Sequence, residues 1–272
     1  MIPASLSATV RPSARDLRLR AFRAVEDPET SDRFLRGHRR ALAARGVRQV
    51  SSAKAGWTEN PSVYAIVLEC ASTGRVLGGA RVHLADGVHH LPVEEAVGPV
   101  DARIHDAVRD SMRFGAAELC GVWKTAADRE GRLRGAVRSM ALAQLALARG
   151  LGVRRGWGFA PEHTLAFWCS LGFRVDPSFG DGGAFAYPDD RFVSRVVVHD
   201  IGRLARVAGR DRRSIEDCLP RRGPRSIVRH GACAGLKVDL SVLDRSRQAR
   251  APLAIAESFR SRLRAAGKGA RA

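Results

Sequence analysis

Arg129, Arg132 and Arg134 are interleaved with Gly131 and Gly135 in the stretch Asp128 to Gly135 (DREGRLRG). An apolar helical run, Ala136 to Arg149, begins immediately after it. A Gly- and Arg-rich turn opening a helix presents unpaired backbone N–H groups at the positive end of the helix dipole, which is an anion site. Three guanidinium groups add charge that suits a pyrophosphate. Just upstream, Glu118 lies in the apolar segment Ala117 to Lys124 (AELCGVWK). A carboxylate there could take a proton from a nucleophile. Its bland alternative is a structural pairing with one of the many arginines. His83, His89 and His90 are alternative bases, because imidazole titrates near neutral pH.

These residues need a scaffold, and the patterning supplies one. Leu17 to Ala24 alternates apolar and basic residues, the period of a half-buried strand. Asp27-Pro28-Glu29 opens a helix running to about Arg45, with Phe34, Leu35, His38 and Leu42 on one face and Gly46 at its end. Val47 to Pro61 reads as loop. Val63 to Cys70 and Val76 to Leu84 flank Ser72-Thr73-Gly74 as a hairpin. Residues 86–100 read as irregular, and Asp101 to Met112 as a short helix. Then come strand Ala117 to Lys124, the Arg/Gly loop, and a helix from Ala136 to Arg149 that is apolar on nearly all faces and so deeply buried. Strand Val153 to Phe159, helix Pro161 to Leu171, a Gly172-Phe173 strand start and strand Phe192 to His199 complete the series.

Here a resemblance enters. Arg132-Leu133-Arg134-Gly135-Ala136-Val137 resembles the R/Q-x-x-G-x-G/A phosphate motif of the GNAT (Gcn5-related N-acetyltransferase) superfamily, departing at Val137. Ala166 to Phe173 (AFWCSLGF) resembles that superfamily's A-x-x-F-Y-x-x-L-G-F helix ending. The hairpin stretch Gly74 to Val82 (GRVLGGARV), with Arg81, is similar to the G-x-x-x-G-G-x-R-L stretch of acyl-homoserine-lactone synthases and the related N-acyl amino acid synthases. Those enzymes carry Glu-x-Ser-Arg before the phosphate loop; Glu118 matches, and Cys120-Gly121 stand in place of Ser-Arg.

The resemblance implies an α/β (α+β) three-layer fold, a mixed and mostly antiparallel sheet flanked by helices. It implies an N-acyltransferase moving an acyl group from acetyl-CoA, a longer acyl-CoA or an acyl carrier protein to a primary amine such as an amino acid or small amine. Leu119, Cys120, Gly121, Val122, Trp123 and Lys124 are then the strand that holds the pantetheine arm. Arg129, Arg132, Leu133, Arg134, Gly135 and Ala136 hold the pyrophosphate, Glu118 is the base, and Arg81 and Trp168 face the substrate. Trp168 stands where many members have an acid tyrosine, and indole cannot serve as that acid. Cys169 beside it and the sequence-distant Tyr187 are the alternatives. Trp123 and Trp168 suit either an apolar acyl pocket or the core.

Composition bounds the rest. The chain has 272 residues and a net charge of +18, of which residues 200–272 contribute +11. We therefore expect an acyltransferase domain over residues 1–200 and a basic, partly helical extension over 201–272, with a linker at Pro220 to Pro224 and an amphipathic helix at Pro252 to Ala266. The competing reading is a binding module that has lost catalysis and whose basic extension contacts nucleic acid or an acidic protein. Arg203 to Arg213 lacks a helix-turn-helix pattern and aromatic interleaving, so nucleic acid is disfavoured as a partner. The five cysteines are scattered and never in C-x-x-C spacing, which argues against disulfides or a metal site, and Cys70, Cys120 and Cys169 read as core. No apolar run reaches about 18 residues, and Met1 to Val10 shows no signal peptide, so the expected location is cytoplasmic.

Overall fold

The computed structural model describes residues 16–47, 49–126, 133, 135–219, 225–227 and 236–244. The linker at Pro220 to Pro224 and the helix expected at Pro252 to Ala266 lie outside them, as do Arg129, Arg132 and Arg134.

Strands β1 (Leu17–Arg23), β2 (Val63–Cys70) and β3 (Val76–Leu84) pair antiparallel in sequence order. β2 is buried along its whole length, because helices cover both faces of the sheet there. That is why VYAIVLEC reads as a continuous apolar run and not as an alternation. Its one charged residue, Glu69, is fixed by Arg18 and Arg20 at 2.8 and 3.1 Å. β4 (Ala116–Lys124) follows antiparallel to β3, and β5 (Arg155–Pro161) runs parallel to β4. β6 (Arg174–Val175), β7 (Ala184–Ala186) and β8 (Val193–Asp200) close that side, with β8 antiparallel to β5.

Glycines 78 and 79 show how the layers divide. Successive strand residues point to opposite faces. A Cβ at Gly79 would meet the Phe34 ring of α1 (Pro28–Ala43), whereas one at Gly78 would approach Met140 of α4 (Ala136–Gly150). On the first face α1 buries Phe34, Leu35, His38 and Ala41; Leu42, expected with them, is half-exposed. Asp27 caps that helix by accepting from the Thr30 N–H at 3.1 Å, as its Asp-Pro start implies. On the same face α2 (Pro92–Val97) and α3 (Arg103–Met112) pack Val93, Val97, Ile104 and Val108 against Trp157, Val196 and Val198. On the other face α4 is buried from Ser139 to Ala148. α5 (Glu162–Ser170) and α6 (Gly209–Cys218) flank it. This is the three-layer, mostly antiparallel arrangement that the resemblance implied.

Two expectations need correction. Residues 92–97, read as irregular, form α2. Its N-cap is Leu91, which carries no capping side chain, and Glu94 reaches back instead to accept from the Leu91 N–H at 2.8 Å. Cys169, read as core, is exposed.

The described residues beyond 200 do not stand apart. β9 (Arg225–Ile227) and β10 (Leu236–Asp239) extend the sheet, β10 running parallel to β1. Ile201, Leu204, Ile215, Leu236, Val238 and Leu243 share one core with α4. Arg138 of α4 pairs with the buried Asp211 of α6. Among the described residues no helix is long and apolar enough to cross a membrane.

Candidate active site

β4 changes partners along its length, and the site follows from that. It pairs with β5 only at Ala116, Ala117 and Glu118, opposite Arg155, Gly156 and Trp157. Beyond Glu118 both strands continue, β4 to Lys124 and β5 to Pro161, without pairing to each other. A wedge therefore opens beside Leu119 to Lys124, where, among the described residues, no strand pairs with that edge of β4.

On its other edge β4 carries a bulge. Gly79 pairs with Trp123, but Arg81 pairs with Cys120, so one extra residue is absorbed between them. Gly121 takes it up with φ 61, the left-handed region that favours glycine. A Cβ there would also stand 2.8 Å from Arg81 Nε. Bulges leave ladder groups unpaired, and a buried carbonyl without a donor is costly. Gln144, a fully buried amide in α4, donates to Arg81 O at 2.6 Å and Cys120 O at 3.0 Å. Gln144→Leu keeps the size but orphans both carbonyls, so urea unfolding should show a loss of about 2–4 kcal/mol. A loss under about 0.5 kcal/mol would mean that the bulge does not depend on Gln144.

Glu118 stands at the point where the wedge begins. It is 2% exposed, and its Oε2 accepts from the Val93 N–H of α2 at 2.6 Å. Burial pushes its pKa up to about 8, against the opposing pull of the Val93 N–H and the Arg81 charge. A carboxyl held near 8 stays largely protonated at neutral pH and can exchange a proton there. His83, its cross-strand partner, is buried too, and burial with the Arg81 charge pushes it well below the usual imidazole range. His89 and His90 bond Asp86 and Glu94 of their own segment at 2.9 and 3.3 Å.

Arg81 is the unusual charge. Its side chain is 0% exposed, and its guanidinium lies against Gly121 and 4.3 Å from the Trp57 ring centroid. One Nη donates to Ser52 O and lies 3.9 Å from Cys120 Sγ. Nε and the second Nη have no hydrogen-bond partner among the described residues. Neither do Trp57 Nε1, Trp123 Nε1 or His38 Nδ1, which converge on the same core around Phe34. Burial, with the charges of Arg81 and Arg39, pushes His38 down to about 3, so it is neutral. Buried polar groups are normally satisfied, so five unpartnered atoms in one cluster, four of them N–H donors, mark a place that favours an acceptor.

The remaining expected residues divide. Leu119, Val122 and Trp123 lie on β4, and Trp123 packs its ring at 5.7 Å from Phe34 in the core. Burial pushes the Cys120 thiol up to about 12, which disfavours its thiolate. Lys124 pairs with Gly78. Gly135 caps α4 with φ 82, Leu133 is buried, and the Ala136 N–H donates to Leu133 O at 3.0 Å. Trp168 packs between Phe167 and Phe173 at 5.1 and 5.4 Å, against the α4 core and not beside Glu118. Tyr187 is carried to the other face, against Phe159 of β5 at 5.1 Å, where its hydroxyl accepts from the Ser51 N–H. Ser51 is two residues from the backbone of Ala53 and adjacent to Ser52, which receives Arg81. Tyr187 is thus the tyrosine near the wedge, although it lies far from β4 in sequence.

No family model matches the chain, and no curated protein matches its sequence. Solved structures do match. An N-acyl amino acid synthase from uncultured soil microbes aligns with a TM-score of 0.55 at 17% identity, over 69% of this chain and 99% of that one. A CoA-dependent acyl-homoserine lactone synthase, solved with SAM and isopentyl-CoA, gives 0.48 at 13% identity, over 85% of this chain and 99% of that one. With its splayed central strands and three layers, the chain carries the GNAT-like fold, which it shares with the solved N-acyl amino acid synthase.

Proposed function

We propose that the chain is an N-acyltransferase that moves an acyl group from an acyl-CoA thioester to the amine of an amino acid. The observation that carries this is the wedge beyond Glu118, with Glu118 and Arg81 on one face of its rim. The pantetheine arm would bond the edge of β4 that faces the wedge, from Leu119 toward Lys124. Arg129, Arg132 and Arg134, with the N-terminus of α4 at Gly135 and Ala136, would hold the pyrophosphate.

In the reaction the amine nitrogen attacks the thioester carbonyl. The new C–N bond forms, the C–S bond breaks, and coenzyme A leaves as the thiolate. Glu118 in its ionised form takes the amine proton, directly or through water. Tyr187 is the residue suited to return a proton to the sulfur, since its hydroxyl already accepts from Ser51 and retains its own hydrogen. Arg81 offers unpaired donors beside Gly121, where an acceptor carboxylate would sit next to the thioester. This selects an amino acid over a small amine, because a buried cation rejects a ligand that leaves it unpaired.

The test is thiol release with acetyl-CoA, long-chain acyl-CoA and an acyl carrier protein thioester, each offered amino acids and the corresponding decarboxylated amines. Amino acids should be preferred by roughly 10²-fold or more in kcat/KM. Equal use of both acceptor classes removes the assignment of Arg81. No thiol release and no thermal stabilisation with any donor sinks the enzyme reading. The binding-module reading draws on a cleft of about 530 Å³ at the start of β5, where Arg154, Arg155, Arg174, Arg203 and Arg206 gather around Asp200. Salt-sensitive anion binding without thiol release is its signature.

A further inference from the structure

We propose that His90, Glu94 and His105 form a three-ligand site for a divalent transition-metal ion of the zinc class. No cysteine takes part: the ligands come from the segment that opens α2 and from the first turn of α3. His90 precedes α2, Glu94 lies in its first turn, and His105 lies in the first turn of α3.

The geometry is that of a metal triangle. Nδ1 of His90 and Nδ1 of His105 stand 3.3 and 3.0 Å from the same Glu94 Oε1. All three ligand atoms lie within 4.8 Å of one another. Ligands at about 2.0–2.2 Å from a tetrahedral zinc are separated by roughly 3.3 Å, so the two shorter edges already fit and a small closing of the imidazoles completes the third. Two neutral imidazoles and one carboxylate leave a net charge of −1, which suits a divalent cation. The mix of nitrogen and oxygen donors favours zinc, cobalt or nickel over magnesium or calcium.

The ligands are also held. Glu94 is buried, and its second oxygen is fixed by the Leu91 N–H at 2.8 Å. The His105 ring rests on Gly98, where a Cβ would stand 2.5 Å from Nε2, so only glycine leaves room for this imidazole. Supporting contacts of this kind orient metal ligands. The triad opens on a cavity of about 200 Å³ bounded by Val108 and Met112, which leaves a fourth position for water. Occupied, the site would clamp α2 to α3, and α2 carries the Val93 N–H that holds Glu118. The proposal stands on these contacts alone and does not depend on acyl transfer.

The experiment is equilibrium dialysis of the untagged full chain against zinc, with visible spectroscopy of the cobalt form. Wild type should bind one ion per chain, show ligand-field bands, and gain thermal stability with zinc. His90→Ala and His105→Ala should each weaken binding about 10²-fold and lose the bands and the stabilisation. His89→Ala, a neighbour outside the triad, should change none of them. Absence of stoichiometric binding by wild type, or binding unaffected by both histidine variants, would overturn the site. Circular dichroism of the metal-free variants separates loss of a ligand from loss of the fold.

Discussion

Glu118→Gln should lower kcat/KM for acyl transfer by roughly 10²–10⁴, the usual share of a general base, while coenzyme binding persists. Gln keeps the size and can still accept from the Val93 N–H, so the start of α2 is preserved. Wild-type kcat/KM should rise with pH through about 8, as the raised carboxyl ionises, and the variant should lose that rise. Stability moves the opposite way. The folded pKa lies above the ordinary carboxyl value of 4.5, so the stability contributed by the protonated group is fully present below the unfolded pKa. It is lost as pH rises through about 8. Between pH about 6 and about 9 the wild type should give up roughly 3 kcal/mol that Glu118→Gln keeps. Urea titrations of both proteins at pH about 6 and about 9 read this directly. A flat pH–rate profile with full activity in the variant would reduce Glu118 to a helix cap.

Much of the scaffold was legible because it is written in local patterns. β1 alternates, β2 is continuously apolar, and α4 is apolar all round, so each announces both its period and its burial. α2 escaped because its cap comes from Glu94 inside the helix, and Leu91 at the cap position carries no signal. β10 escaped because it is four residues long and finds its partner in β1, across nearly the whole chain. The charge excess after residue 200 suggested an appendage. The apolar residues that tie it down, Ile201, Leu204, Ile215 and Leu236, are spaced singly among arginines and show no run.

The site was legible along β4 and obscure across it. Glu118 stands out as an acid in an apolar strand. Arg81 came from a likeness of motif, and nothing in the sequence says that it is fully buried. That follows only when Phe34 seats on Gly79, bringing Trp57 and His38 around the guanidinium from a loop and a helix. Tyr187 was likewise unreachable by spacing, since the fold brings it to Phe159 and Ser51. Trp168 shows the converse. Its motif position resembles a catalytic one, yet its ring is taken up by Phe167 and Phe173.

Arg81→Met should separate function from stability. A buried cation with no ion partner among the described residues is desolvated without compensation, and burial lowers the Arg81 pKa from its ordinary value. Methionine replaces the stem of the side chain, ending short of the guanidinium position, and its flexible thioether suits the apolar space against Phe34 and Trp57. Losing the donation to Ser52 O and the contact with the Trp57 ring costs about 1–2 kcal/mol. Removing the unpaired charge returns more, since replacing buried ions by apolar residues is often stabilising by about 1–4 kcal/mol. The variant should therefore be as stable as wild type or more so by urea unfolding. Its kcat/KM for amino acids should nonetheless fall by roughly 10²–10³, because a charge-assisted bond to the acceptor carboxylate is lost. Activity toward decarboxylated amines should change little, so the preference between the two acceptor classes collapses. A residue that merely supports the fold behaves otherwise: stability falls, and both acceptors lose activity together. Arg81 is thus a site where the fold tolerates an unfavourable charge, and a gain in stability paired with a loss of acceptor choice is what an anchoring role requires.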